Sequence, residues 1–188
     1  MNHLATIGPA IAKHLPGWKY VHLEEYHAAY LIPENTTWKR YELAIHLSAD
    51  TYKKRIHVSG CWPVGVTPRD IREESPSINV GLDRDPKRIA ADIQRRFLPK
   101  YLDLYRKCAA QAQHNTESEN SQKAVAKEFA KLAGTTTDSG RVHFYRDDCY
   151  GDVEINWGGE TASLVLRGDV AILKRAIKAA LEKASCTG

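Results

Sequence analysis

Residues Ser77-Ile-Asn-Val-Gly-Leu-Asp-Arg-Asp-Pro-Lys-Arg-Ile-Ala-Ala-Asp-Ile-Gln-Arg-Arg-Phe97 carry a change of pattern that decides the fold class. Ser77 to Leu82 reads as a strand. Asp85 then precedes Pro86, a strong helix start: the carboxylate can accept an orphan backbone N–H, and proline at the first helical position has none to lose. Ile89, Ile93 and Phe97 follow at steps of four, which is one face of a helix. Pro99 predicts a kink or a division, because proline removes a helical hydrogen bond. A second helical stretch, Lys100 to about Gln113, carries Tyr101, Leu104, Tyr105 and Cys108 on one side.

Upstream, residues 2–15 place Leu4, Ile7, Ile11 and Leu15 at helical spacing, and Pro16-Gly17 ends that helix. Trp18 to Leu23 reads as a strand or the entry to one. Ala28 to Ile32 is a clearer strand, closed by Pro33-Glu34-Asn35. Trp38 to Leu47 alternates, with Tyr41, Leu43, Ile45 and Leu47 against Arg40, Glu42, Ala44 and His46. After Ala49-Asp50, Lys54, Ile56 and Val58 oppose Lys53, Arg55 and His57, and the short turns favour antiparallel hairpins. Residues 59–76 read as a long irregular loop, a kind that is usually functional or disordered.

Downstream, Gln113 to Ser121 is polar and lacks large apolar residues, so it reads as a linker. A helix from about Ser121 to Ala133 follows, then strands Arg141 to Arg146, Asp152 to Trp157 and Thr161 to Leu166. Trp157-Gly158-Gly159-Glu160 suits a hairpin. Gly168-Asp169 caps a final helix with the face Val170, Leu173, Ile177 and Leu181. Shifted by 84 residues, Val80, Leu82, Asp85, Ile89, Ile93 and Phe97 fall on Leu164, Leu166, Asp169, Leu173, Ile177 and Leu181. The expectation is an α+β protein of two successive helix–antiparallel strands–helix units, suggesting a duplicated fold: 1–112, a linker at 113–121, and 122–188.

The 188 residues, 43% hydrophobic and 27% charged, are ordinary for a folded chain and argue against disorder. No apolar run approaches the roughly 18–20 residues that span a bilayer, and the N-terminus lacks the charged start and apolar block of a signal peptide. A cytoplasmic protein without membrane contact is expected. Cys61, Cys108, Cys149 and Cys186 are scattered, without Cys-x-x-Cys spacing, and reduced thiols fit that compartment. Twenty-seven Lys and Arg against 23 Asp and Glu make the charge mildly basic, so its placement matters more than its total.

Catalytic and metal motifs are missing. His22 and His27 are five apart where a helical metal pair needs four, and Asp147, Asp148 and Asp152 lack the calcium-loop pattern. His57 and Cys61 are close in sequence, but no orienting group can be assigned to them. No metal, no cofactor and no enzymatic activity are expected. The basic positions carry more: Arg40, His46, Lys53, Arg55 and His57 on the outward strand face, then Arg84, Lys87, Arg88, Arg95, Arg96 and Lys100 along the following helix. Such faces neutralise phosphates. Trp38 and Trp62 are candidates for stacking on bases or anchoring a partner. The candidate binding residues are Arg40, Arg55, His57, Trp62, Arg69, Arg72, Lys87, Arg88, Arg95 and Arg96.

The stretch from Ser75-Pro-Ser-Ile-Asn-Val to Pro99-Lys-Tyr-Leu102 resembles small uncharacterised proteins of phages, prophages and other mobile elements, over roughly residues 55 to 105. The resemblance implies a setting, with no catalytic residues to carry over. It points to a non-catalytic binding protein in the host cytoplasm, acting on nucleic acid or on a nucleic-acid-handling host complex. A protein-binding inhibitor of a host defence system, anti-CRISPR-like, is the alternative, and an oligomer is compatible with either. The order of the second unit is similar in outline to double-stranded-RNA-binding domains. Those place a lysine cluster at the start of the last helix, whereas here Asp169-Val-Ala-Ile opens it and Lys174 and Arg175 come later.

Overall fold

Asp85 caps a helix as its sequence predicts. Its carboxylate accepts a hydrogen bond from the Lys87 amide at 3.0 Å, and helix α2 begins at Pro86. The computed structural model describes residues 3–23, 28–37, 42–133, 135–137, 139–146, 149–169 and 174. Among these the elements are α1 (His3–Lys13), β1 (Trp18–Leu23), β2 (Ala28–Pro33), β3 (Ile45–Asp50), β4 (Arg55–Gly60), a 3-10 turn (Pro68–Ile71) and β5 (Ser77–Gly81). Then come α2 (Pro86–Asp92), a π-helical turn (Ile93–Phe97), α3 (Leu98–Ala133), β6 (Arg141–Arg146), β7 (Cys149–Ile155) and β8 (Ala162–Gly168). The chain is a mixed α+β protein, and it divides into two units, Met1–Gln113 and His114–Gly188.

In the first unit the five strands pair antiparallel in sequence order, β1-β2-β3-β4-β5. The turn at residues 51–54 joins β3 to β4 as a hairpin, while longer segments, residues 34–44 and 61–76, precede β3 and β5, and sequential strands still pair. The alternation sorts the faces. Ala29, Leu31, Ile45, Leu47, Ile56, Val58, Ile78 and Val80 join the core, while His46, Ser48, His57 and Asn79 point the other way. Leu4 and Ile11 of α1, Ile89 of α2, Ile93 and Phe97 of the π-turn and Tyr101 of α3 complete that core. Burying each large side chain is worth about 1.5–3 kcal/mol. β3 begins at Ile45, later than the predicted Trp38, and residues 38–41 lie outside the described residues. Lys54 takes a left-handed turn conformation, φ 49°, so β4 starts at Arg55.

Tyr101 ties α3 to the sheet. Its hydroxyl shares its one hydrogen between the carbonyls of Ala44 (2.8 Å) and Cys61 (2.9 Å) and accepts from the Ala44 amide (3.2 Å). The expected break at Pro99 takes a specific form. Pro99 has no N–H for the carbonyl four residues back, and the preceding turn widens so that Leu98 N–H reaches the Ile93 carbonyl. Residues 113–121, expected as a polar linker, are helical within α3. The stretch contains neither glycine nor proline, and an exposed helix needs no apolar residues there; Glu119 and Lys123 form a pair one turn apart, at 3.8 Å.

In the second unit β6-β7-β8 form an antiparallel sheet. Val142, Val153 and Ile155 pack on Ala126 and Ala130 of α3, and Gln122 donates from Nε2 to the Ile155 carbonyl at 2.5 Å. β7 starts at Cys149, three residues before the predicted Asp152. The hairpin at Trp157–Glu160 forms with Gly158 and Gly159 at positive φ. The duplication is not confirmed. The two sheets have five and three strands, and Val80 is buried where its counterpart Leu164 is 58% exposed. The final-helix positions Leu173, Ile177 and Leu181 lie outside the described residues.

Candidate functional site

The end of β5, the start of α2 and the π-turn bring four arginines around one carboxylate. Arg84 Nη1 donates to Asp92 Oδ2 at 2.7 Å, and Arg95 Nη2 donates to Oδ1 at 3.4 Å. Arg96 Nη1 lies 3.9 Å from Oδ2. The Asp92 side chain is only 11% exposed, while those of Arg84, Arg95 and Arg96 are 46%, 79% and 50% exposed. Arg88 has no carboxylate partner among the described residues. An open cavity of about 440 Å³ lies here, lined by Arg84, Arg88, Ala91, Asp92, Gln94 and Arg95.

The electrostatics follow from this packing. Burial by itself would raise the Asp92 carboxyl. The hydrogen bond and charge of Arg84, with the charges and donors of Arg96 and Arg95, outweigh it and hold the group below the usual carboxylate range. Asp92 is therefore ionised at neutral pH. Three guanidiniums lie within 4 Å of the Asp92 carboxylate and a fourth, that of Arg88, lines the same cavity, so positive charge exceeds the single charge of Asp92 there. Each guanidinium has five N–H donors and the carboxylate takes few of them, so the remainder face solvent or an anion. The site can hold an anion by charge and by directed donors.

The sequence-predicted residues fall in several places. Lys87 and Arg88 sit in the first turn of α2, and Arg95 and Arg96 in the π-turn. Arg55 stands opposite Gly81 in the β4–β5 register, and the stem of Arg84 passes 3.3 Å from where a Gly81 β carbon would sit. The strand face thus meets the arginine cluster at its Arg55–Gly81 end. His57 Nδ1 pairs with Asn79 Oδ1 at 3.1 Å. His46 adds little charge to that face, because burial, with the His57 charge behind it, holds its imidazole below the ordinary histidine value. Arg69 and Arg72 are exposed at the 3-10 turn, with Arg72 left-handed at φ 60° as its cap. Arg40 and Trp38 lie outside the described residues.

The Trp62 ring is half-buried and meets Tyr101 edge-on, centroids 5.3 Å apart, so part of it packs against the core. The loop around it is less irregular than predicted. Asp70 accepts from both the amide and the hydroxyl of Thr67 at 2.7 Å, and Val66 and Pro68 are buried. Burial pushes the Cys61 thiol up to about 11, the direction opposite to that of a reactive cysteine.

Asp92 and Arg84 lie outside the candidate binding residues that the sequence suggests. The available signal is spacing: Asp92 lies three and four residues before Arg95 and Arg96, the distance at which helical side chains meet. Among the described residues no three metal-ligating side chains come together, and no helix is long and apolar enough to cross a membrane. No protein-family model, no curated protein and no solved structure matches this chain.

Proposed function

We propose that this chain is a non-catalytic nucleic-acid-binding protein of a phage or mobile element, working in the host cytoplasm on nucleic acid or on a host complex that handles it. The observation that carries the reading is the concentration of Arg84, Arg95 and Arg96 within 4 Å of the buried Asp92 carboxylate, with Arg88 lining the same cavity, a clustering of arginine that the net +4 of the whole chain does not convey. Lys87 and Arg55 extend the same corner. Contacts of this kind read phosphates and release counterions, so binding falls as salt rises. The test is fluorescence anisotropy of single- and double-stranded DNA and RNA oligonucleotides across a salt series. Replacing Arg95 and Arg96 together by glutamate should weaken binding and reduce the magnitude of the log K against log salt slope by about 2, one unit per lost phosphate contact. Undetectable binding to every oligonucleotide at low salt overturns the reading.

A second reading, a protein-binding inhibitor of a host defence system, is favoured by a different observation. In the second unit Tyr145 and Val165, on one face of the sheet, are 79% and 46% exposed, and Trp157 in the β7–β8 turn is 55% exposed; large apolar side chains left open on one face can anchor a protein partner. It requires a stable complex with a protein partner that survives nuclease, and Tyr145 and Trp157 as its anchors.

A further inference from the structure

The arginine cluster is organised beyond what a diffuse basic patch needs. Arg88, Ala91, Asp92 and Arg95 are spaced i, i+3, i+4 and i+7, one stripe running from α2 into the π-turn. Ala91, the smallest of them, lines the cavity with Arg88 and Arg95. Arg84 reaches the cavity from a separate segment, the turn after β5, and grips one Asp92 oxygen while Arg95 takes the other. Two guanidiniums from different segments are thus aimed by a common carboxylate, and Arg88 stands in the same cavity without a counter-ion among the described residues. Planar forks held in this way suit the oxygens of a tetrahedral dianion or diester.

We propose that this cavity is a discrete seat for one phosphate group, contacted by Arg84, Arg88 and Arg95, with Asp92 as the positioning residue that aims the first and third. The proposal deepens the nucleic-acid reading and rests on it for the identity of the polymer, but the seat is defined by phosphate chemistry. The phosphate comes either from the backbone of a nucleic acid or from a free or terminal phosphate.

Charge alone and positioning make opposite demands on Asp92. If the pocket is only a positive field, Asp92→Asn removes a negative charge and tightens phosphate binding. If Asp92 aims the guanidiniums, the same substitution weakens binding although the net charge rises. The experiment titrates the full chain with inorganic phosphate at constant ionic strength, following the arginine Nε–Hε resonances, with chloride as the control anion. The expected results are shifts at Arg84, Arg88 and Arg95 in the wild type, and a loss of about tenfold or more in phosphate affinity in Arg88→Gln, the size of one charged hydrogen bond. Asp92→Asn should show a comparable loss, with the Arg84 and Arg95 shifts collapsed.

Arg88 is exposed and anchors nothing in the core, so Arg88→Gln tests the seat even if Asp92→Asn perturbs folding. Unchanged phosphate binding in Arg88→Gln, or tighter binding in Asp92→Asn, overturns the proposal. Oligonucleotides with and without a 5′-phosphate, used as competitors, distinguish the sources. Equal competition assigns the seat to backbone phosphate, and preference for the phosphorylated end assigns it to a terminal one. Inorganic phosphate binding that depends on Arg88, with no oligonucleotide binding, sustains the seat and removes the nucleic-acid reading. Salt-dependent oligonucleotide binding with no Arg88-dependent phosphate binding does the reverse.

Discussion

The two sheets of this chain solve the same problem with different resources. In the first unit a five-stranded sheet buries one face against α1, α2, the π-turn and the start of α3, and its core includes Phe97, Tyr101, Trp18 of β1 and a row of aliphatic residues from β2 to β5. In the second a three-stranded sheet rests on alanines: Ala126 and Ala130 face Val142, Val153 and Ile155, while Leu164 of β8 is more than half exposed. Buried apolar area is the main source of stabilisation, and a sheet this small has little to spare. The larger core can also bear local expense. It tolerates a π-turn and a nearly buried carboxylate beside four arginines, and the candidate site is built there.

The largest effect should come from the aromatic layer of the first unit. Phe97→Ala is expected to cost about 3–5 kcal/mol, because the cavity lies among fully buried neighbours that cannot collapse into it. Ile155→Ala should fall near the lower end of the roughly 2–5 kcal/mol range for such truncations, since a smaller core relaxes more easily. Urea unfolding gives the totals, and amide exchange read separately on β4 and β7 assigns each loss to its own sheet. Equal losses would break the contrast between the cores.

Two glycines sharpen it at smaller scale. A β carbon on Gly60 would sit 2.1 Å from the Tyr101 ring, which is fully buried and held by three hydrogen bonds. Gly60→Ala is therefore expected to cost about 1–3 kcal/mol. A β carbon on Gly151 would meet Phe144 at 2.3 Å, but that ring is only half-buried and can swing aside, so the urea midpoint of Gly151→Ala should move less. A Gly151→Ala loss as large as that of Gly60→Ala would show the second core to be as unyielding as the first.

The smallest effect concerns acid. The folded-state value of Asp92 lies below the unfolded carboxylate value of about 3.9, so its contribution to stability is present above that pH and is lost as pH falls through the folded value. The stability difference between wild type and Asp92→Asn should be constant near neutrality and shrink below about pH 4, as read by urea midpoints across an acid series. A difference independent of pH would mean that the arginine contacts do not stabilise the charged form.

Much of the first unit was legible in the chain itself. The cap at Asp85-Pro86, the steps Ile89–Ile93–Phe97 and the strand alternation at Ile45, Leu47, Ile56 and Val58 are local periodicities, and a residue's place in a period depends only on near neighbours. Residues 113–121 show the limit of such a reading: they contain the boundary between the two units, and they are helical. Low apolar content describes a solvated helix as well as a linker, and composition does not separate the two.

What tertiary structure alone decided is which side chains meet. Nothing in the sequence says that Trp62, in a loop of prolines and glycines, packs its ring on Tyr101, or that the Tyr101 hydroxyl reaches the neighbouring carbonyls of Ala44 and Cys61. The same holds for the site. The arginines were visible as a basic run, but their surplus became a directed cavity only when the turn after β5 brought Arg84 back onto Asp92 and Pro99 forced the preceding turn to widen. Amino-acid order determines charge, period and breakpoints, because these are properties of neighbours along the chain. The folded packing determines which carboxylate aims which guanidinium, because hydrogen-bond direction depends on where separate segments come to rest.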